Sequence, residues 1–147
     1  MQPAFSMRIT LPPKSPSDLH LPLMGSRIEA GFPSPADDHL EKCLDLNEHL
    51  IKHPAATFFL RVRGSSMIHA GIHDNDLLIV DRSLEPASGD IVVAVLNGEL
   101  TIKRLHIESG EVWLLPENPD FKPLAVSEWT DLRIWGVATD VVHSLKP

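Results

Sequence analysis

The sequence predicts a mainly β fold: a compact antiparallel domain of barrel-like or sandwich type over residues 57–147, preceded by an extended N-terminal arm and one or two short helices. Three observations carry this reading. From Thr57 onward, short apolar runs rich in β-branched and aromatic residues follow one another without intervening helical periodicity. Two of these runs, "DIVVAVL" and "ELTIKRLHI", flank Asn97-Gly98, the preferred pair for a two-residue type I′ hairpin turn. The stretch before residue 34, by contrast, is broken by Pro12, Pro13, Pro16, Pro22 and Pro33 and keeps neither period.

Taken in order, residues 1–30 form the arm, docked through short apolar runs such as Met7-Arg8-Ile9. The small pair Ala30-Gly31 follows, where the chain turns tightly or something approaches its backbone closely. Residues 31–56 read as a linker carrying a short helix. Ser34 is placed to cap it, Pro35 suits its first position, and Asp37 and Asp38 suit its positive end. Leu40, Cys43, Leu44 and Leu46 would give this helix an apolar face, with Cys43 a packed thiol. A second helical piece, "NEHLIK", stops before Pro54. The strands are then "TFFLRV", "DLLIVD", the hairpin across Asn97-Gly98, "GEVWLL" and "DLRIWGVATDVV".

Composition narrows the function. A chain of 147 residues builds one domain with a modest core. Its formal charge of −7 disfavours direct binding of nucleic acid, which clustered lysine and arginine would carry. Cys43 is the single cysteine, so no internal disulfide forms and a reducing compartment is expected. No apolar run approaches the roughly 20 residues that span a bilayer, and the N-terminus lacks a signal-peptide stretch, so a cytoplasmic location is expected.

Candidate chemistry centres on "RGSSM", Arg63 to Met67. Gly64 lets the chain turn, and a short helical turn starting near Ser66 would bring the main-chain N–H groups that an oxyanion needs. Alone, such a serine pair reads as a solvated turn; it lacks the G-x-S-x-G elbow because position 68 is Ile. A base is needed. Strand alternation sets Thr101, Lys103, Leu105 and Ile107 on one face and Leu100, Ile102, Arg104 and His106 on the other, so Lys103 and Arg104 each have apolar company. Chemistry separates them, since burial neutralises a lysine whereas an arginine keeps its proton. Bringing a lysine from ~10.4 to near ~7 costs roughly 4–5 kcal/mol, which demands a well-formed core. An ordinary strand lysine instead snorkels to solvent. His69 and His73 are four apart, but Gly71 and "HDND" argue for a turn, so no metal site and no cofactor are expected. Trp113, Trp129 and Trp135 read as core and partner-surface residues.

The blocks "AGFPSPADD", "GSSMIHAGIHDNDLLIVD", "GDIVVAVLNGELTIKRL" and "IWGVATDVVHSL" resemble, in that order, the UmuD proteins, which stand with the LexA-type repressors among self-cleaving Ser-Lys peptidases. The resemblance covers about residues 27–145 and implies a LexA- or signal-peptidase-like fold. It implies Ser66 as nucleophile, from the G-x-S-M pattern, and Lys103 as general base, from T-V-K-[KR]-L with Ile102 in place of valine. The scissile bond would be Ala30-Gly31, and the N–H groups of Ser65 and Ser66 would form the oxyanion hole. UmuD proteins often carry Cys-Gly at the bond where this chain has Ala-Gly, and Ser65 stands where an acidic residue is common.

The resemblance further implies a homodimer whose cleavage is promoted by the RecA–single-stranded DNA filament. Once trimmed, it would join a UmuC-like Y-family catalytic subunit for error-prone lesion bypass. The arm is formally +1, so cleavage would leave −8 on residues 31–147, a product still less suited to DNA. Two other readings compete: a non-enzymatic dimeric β domain that binds partners through its arm, and a Ser-Lys processing peptidase acting on other chains. The coincidence of Ser66, Lys103 and Ala30-Gly31 weighs against the former, and the lack of a membrane segment against the latter.

Overall fold

The computed structural model describes residues 19–24, 28, 30–31 and 40–147. These fall into two compact units that divide between Lys52 and His53. In the first, β1 (Leu21–Met24) and β2 (Leu40–Leu44) form a two-stranded antiparallel sheet, with Leu21 opposite Leu44 and Pro22 opposite Cys43. Both strands are edges, so a proline is tolerated where its missing N–H faces away from the ladder. Helix α1 (Leu46–Leu50) follows at once, capped by the Asp45 carboxylate, which accepts the Asn47 N–H at 3.0 Å.

This corrects one expectation. Leu40, Cys43 and Leu44 lie on a strand, not on a helical face, and Cys43 is exposed. Pairing with Leu21–Met24, a partner far away in sequence, overrides the weak helical spacing. The proposed helix start at Ser34-Pro35 and the docking of Met7-Arg8-Ile9 lie outside the described residues. The second short helix is present as α1.

The second unit is an antiparallel sheet of seven strands: β3 (Thr57–Arg61), β4 (Leu77–Asp81), β5 (Ile91–Leu96), β6 (Glu99–Glu108), β7 (Glu111–Leu115), β8 (Leu124–Val126) and β9 (Leu132–Val142). Their order in the sheet is β3-β4-β9-β5-β6-β7-β8. The sheet does not close into a barrel; it is sandwich-like, with β3 and β8 as its edges. The β5–β6 hairpin turns at Asn97 and Gly98, with φ of 49° and 85°, the left-handed pair that a type I′ turn requires. Of these seven strands, only β8, three residues long and mostly exposed, is absent from those expected from the sequence.

Strand β5 is buried on both faces, which is why "IVVAVL" reads as a continuous apolar run. Val93 packs with Val62, Met67, Ile72, Leu78 and Val80 on one side, while Val92 and Ala94 pack with Leu105, Leu114 and Val137 on the other. Burying each larger side chain contributes about 1.5–3 kcal/mol. Strand β9 serves both clusters because its pairing slips twice. Val93 faces Gly136 while Ala94 faces Ile134, and Val80 faces Ala138 while Ile79 faces Asp140. Each slip adds one residue to β9, at Trp135 and at Thr139, and reverses which face the following side chains take.

Two polar residues sit in this core, Asp76 and Asp81, one before β4 and one at its end. Burial alone would raise the Asp81 carboxyl. The Ser83 hydroxyl at 2.6 Å, the Ser83 N–H at 2.8 Å and His53 Nδ1 at 2.6 Å outweigh it and hold the group below the usual aspartate range.

Two tests follow from this packing. A Cβ added at Gly136 would lie 2.6 Å from Val80 Cγ1, a stiff side chain with no exposed surface, so Gly136→Ala should destabilise the fold by about 1–3 kcal/mol in urea unfolding. Because the folded Asp81 carboxyl titrates below its ordinary value of 3.8, its stabilisation is complete above that value and is lost as pH falls through the lower folded one. Asp81→Asn should therefore cost about 1.5–3 kcal/mol at neutral pH, with the gap to wild type shrinking in acid unfolding series.

Candidate active site

The chain leaves β3 through Val62 and Arg63 and turns at Gly64, whose φ of 95° suits glycine and whose N–H donates to Asp74 Oδ1 at 2.7 Å. Met67 is 2% exposed and anchors the turn in the core, and the single 3₁₀ turn Ile68–Ala70 follows. Ser66 thus lies between a glycine bend and a buried anchor. Its carbonyl accepts the Glu117 N–H at 2.8 Å, and the carbonyl of Ser65 accepts Asn118 Nδ2 at 2.9 Å. The Glu117 carbonyl in turn accepts the His69 N–H at 2.8 Å. Three hydrogen bonds from one loop therefore fix the backbone on both sides of Ser66.

The Glu117 carboxylate is itself held. Arg104 Nε donates to Glu117 Oε1, and Arg104 donates from its guanidinium to the Gly89 carbonyl at 2.6 Å. Arg104 therefore braces the loop that clamps the serine, and the adjacent Lys103 is left to face the serine itself.

Lys103 stands on β6 opposite Val92. Its Nζ lies 3.2 Å from Ser66 Oγ, 2.8 Å from Thr101 Oγ1 and 3.0 Å from the Ile102 carbonyl. All three neighbours are neutral, and among the described residues no carboxylate pairs with it. Burial accordingly pushes the lysine below its ordinary value, with nothing opposing the shift. The pair opens onto a cleft of about 380 Å³, lined on its apolar side by Leu60, Val62, Leu100, Ile102 and Phe121. Edge strand β3 forms one wall of that cleft.

The other sequence candidates separate from this pair. Ser66 Oγ takes its hydrogen bond from Lys103, while the His69 side chain is exposed and His73 lies against His143, with ring centroids 4.8 Å apart. "HDND" is a turn, as expected. Ala30 and Gly31 form an exposed bend within the first unit. Glu117, Asn118 and Asp74 went unread in the sequence. Asp74 sat in plain view as a turn residue, but nothing local marks a loop that clamps a serine some 50 residues away.

The Peptidase S24-like family profile matches residues 22–139. Among curated relatives, Protein SamA of Salmonella typhimurium is 44% identical over 138 residues, covering 94% of this chain and 96% of that protein. Protein ImpA of Escherichia coli is 48% identical over 124 residues, 83% of each chain. The LexA repressor of Ectopseudomonas mendocina is 42% identical over 148 residues, covering 97% of this chain and 72% of the repressor. With the profile spanning most of the sequence and these relatives matched over 72% to 96% of their length, the chain belongs to the Peptidase S24-like family, on the UmuD-like side of the LexA/UmuD group.

Proposed function

We propose that this protein is a serine endopeptidase that cleaves its own Ala30-Gly31 bond through Ser66 and Lys103. We further infer that it acts in the cytoplasm, in the SOS response, as a homodimeric accessory subunit of an error-prone translesion polymerase. One observation carries the chemistry: an uncompensated lysine Nζ 3.2 Å from a serine hydroxyl at the mouth of an apolar cleft. Likeness to a LexA repressor and to the UmuD-like proteins supports the SOS setting, stimulation by a RecA–DNA filament and a UmuC-like catalytic partner. Among the described residues no helix is long and apolar enough to cross a membrane.

In this reading the segment around Ala30 lies extended against the free edge of β3, as peptidases commonly read substrates as an added strand. Ile28, 91% exposed, then has apolar surface to bury in the cleft, and small Ala30 and Gly31 let the scissile carbonyl approach. Neutral Lys103 takes the Ser66 proton as Oγ bonds to the Ala30 carbonyl carbon. The N–H groups of Ser65 and Ser66, which donate to no acceptor among the described residues, receive the oxyanion. The C–N bond breaks as Lys103 returns the proton to the Gly31 amine. A water deprotonated by Lys103 then releases the Ala30 carboxylate. Substrate and nucleophile share one chain, so conformation more than encounter limits the rate.

Mass spectrometry of the incubated chain should find products ending at Ala30 and beginning at Gly31; a reproducible cut elsewhere would remove this bond as the substrate. Ser66→Ala should retain the fold and lose cleavage. A folded Ser66→Ala protein that still cuts itself would unseat the nucleophile and favour a different catalyst.

The pH profile tests the base. Only neutral Lys103 accepts a proton, so the rate should climb about tenfold per pH unit and level off at the lysine pKa, below its ordinary value of 10.5. A histidine base would level off near ~6.5. Lys103→Arg should be inactive throughout, whereas His69→Gln and His73→Gln should keep the wild-type profile. Activity in Lys103→Arg would refute the dyad.

A further inference from the structure

Away from the cleft, the antiparallel register of β4 and β9 places Leu77 opposite Val142 and so brings Asp76, just before β4, beside His143, just after β9. The turn His73–Asp76 folds back on the same point. Asp76 donates its N–H to the His73 carbonyl at 3.1 Å, and Asp76 Oδ2 accepts the His73 N–H at 2.8 Å. Two imidazoles thereby meet one carboxylate that is 3% exposed. His143 Nδ1 lies 2.5 Å from Asp76 Oδ1, and His73 Nδ1 lies 3.7 Å from Asp76 Oδ2.

His73 Nδ1 is the telling atom. It is buried and has no hydrogen-bond partner, a condition that costs stability and calls for an explanation. It is aimed at the same carboxylate that holds His143, and the three ligand atoms all lie within 4.8 Å of one another. The rings themselves remain 43% exposed, leaving solvent access to complete a coordination sphere.

We propose that His73, Asp76 and His143 form a binding site for one divalent transition-metal ion, for which zinc is the best fit. Two imidazoles and a carboxylate with an open fourth position are a common zinc donor set, and imidazole selects against magnesium and calcium. Bond lengths of about 2.1 Å give a tetrahedral edge of about 3.4 Å, close to the 3.7 Å already present between His73 and Asp76. The ion takes the place of the proton between His143 Nδ1 and Asp76, with the imidazole neutral and its proton on Nε2, and it opens that contact. It gives His73 Nδ1 the partner it lacks. It also ties the end of β9 to the turn between the nucleophile loop and β4.

The test is zinc titration of the full purified chain against a chromophoric chelator, together with thermal melts. Wild type should bind one zinc per chain and melt higher with zinc present. His73→Gln and His143→Gln should each weaken binding by roughly tenfold or more and remove the thermal shift, while His20→Gln binds as wild type. Should either variant fail to fold, heteronuclear NMR of the wild-type chain gives an independent reading, since zinc must move the ring resonances of His73 and His143 before those of other histidines. Absence of stoichiometric binding, wild-type affinity in either variant, or unmoved His73 and His143 resonances would each overturn the proposal.

Discussion

Strand β9 holds the sheet together. The β3–β4 pair stands on one side of it and β5 through β8 on the other, and in the sheet order nothing else joins them. Its residues must therefore satisfy two ladders and two apolar clusters at once. An unbroken alternation would serve one parity only. The extra residues at Trp135 and Thr139 let Ile134 and Val137 face one cluster while Trp135, Ala138 and Val141 face the other. Gly136 is the local cost of that arrangement, because the slip crowds it against Val80 and leaves no room for a side chain.

The candidate site depends on the same frame for a different purpose. A serine and a lysine become chemically useful only if the lysine is kept dry and the serine is kept still. Toward the first, Lys103 is half-buried among neutral neighbours: Thr101, the Ile102 carbonyl and Ser66 itself offer acceptors without offering a negative charge. A carboxylate in their place would hold the ammonium charged and remove the base. The second is met by the 117–118 loop, whose peptide groups and Asn118 side chain grip the serine backbone, while Arg104 grips the loop. Adjacent basic residues on one strand are thus set differently: Arg104 is paired with a carboxylate, while Lys103 is half-buried among neutral groups that leave its lowered pKa unopposed.

Legibility in the sequence followed range. The Asn97-Gly98 hairpin, the buried run of β5 and the apolar β4 between aspartates are local patterns and were readable residue by residue. The strand Leu40–Leu44 was not, because its partner is a proline-containing segment with no strand signal of its own. The faces of β9 were not, because strict alternation fails after each added residue. At the site, composition and alternation narrowed the base to Lys103 or Arg104, and only titration chemistry and the family resemblance chose between them. The loop that fixes Ser66 left no trace, since two of its three contacts are main-chain bonds that any sequence of suitable length could make and the third comes from a single asparagine amide far away in the chain. His143 was invisible for a similar reason: its meeting with Asp76 is a matter of register between strands far apart in the chain.

The position of β9 also separates local contacts from long-range ones. Strands β5, β6 and β7 are joined by short turns at Asn97-Gly98 and Ser109-Gly110, so their pairing is local and fast. The β3–β4 pair is likewise nearly local. Ser66 belongs to the latter group and Lys103 to the former, and within the sheet it is β9, later in the chain than both, that pairs with each group. Besides β9, the 117–118 loop at Ser65 and Ser66 and the apolar cluster around Val93 tie the two groups together. The 3.2 Å approach of Lys103 to Ser66 is therefore a long-range contact, set by the assembled sheet rather than by either hairpin alone.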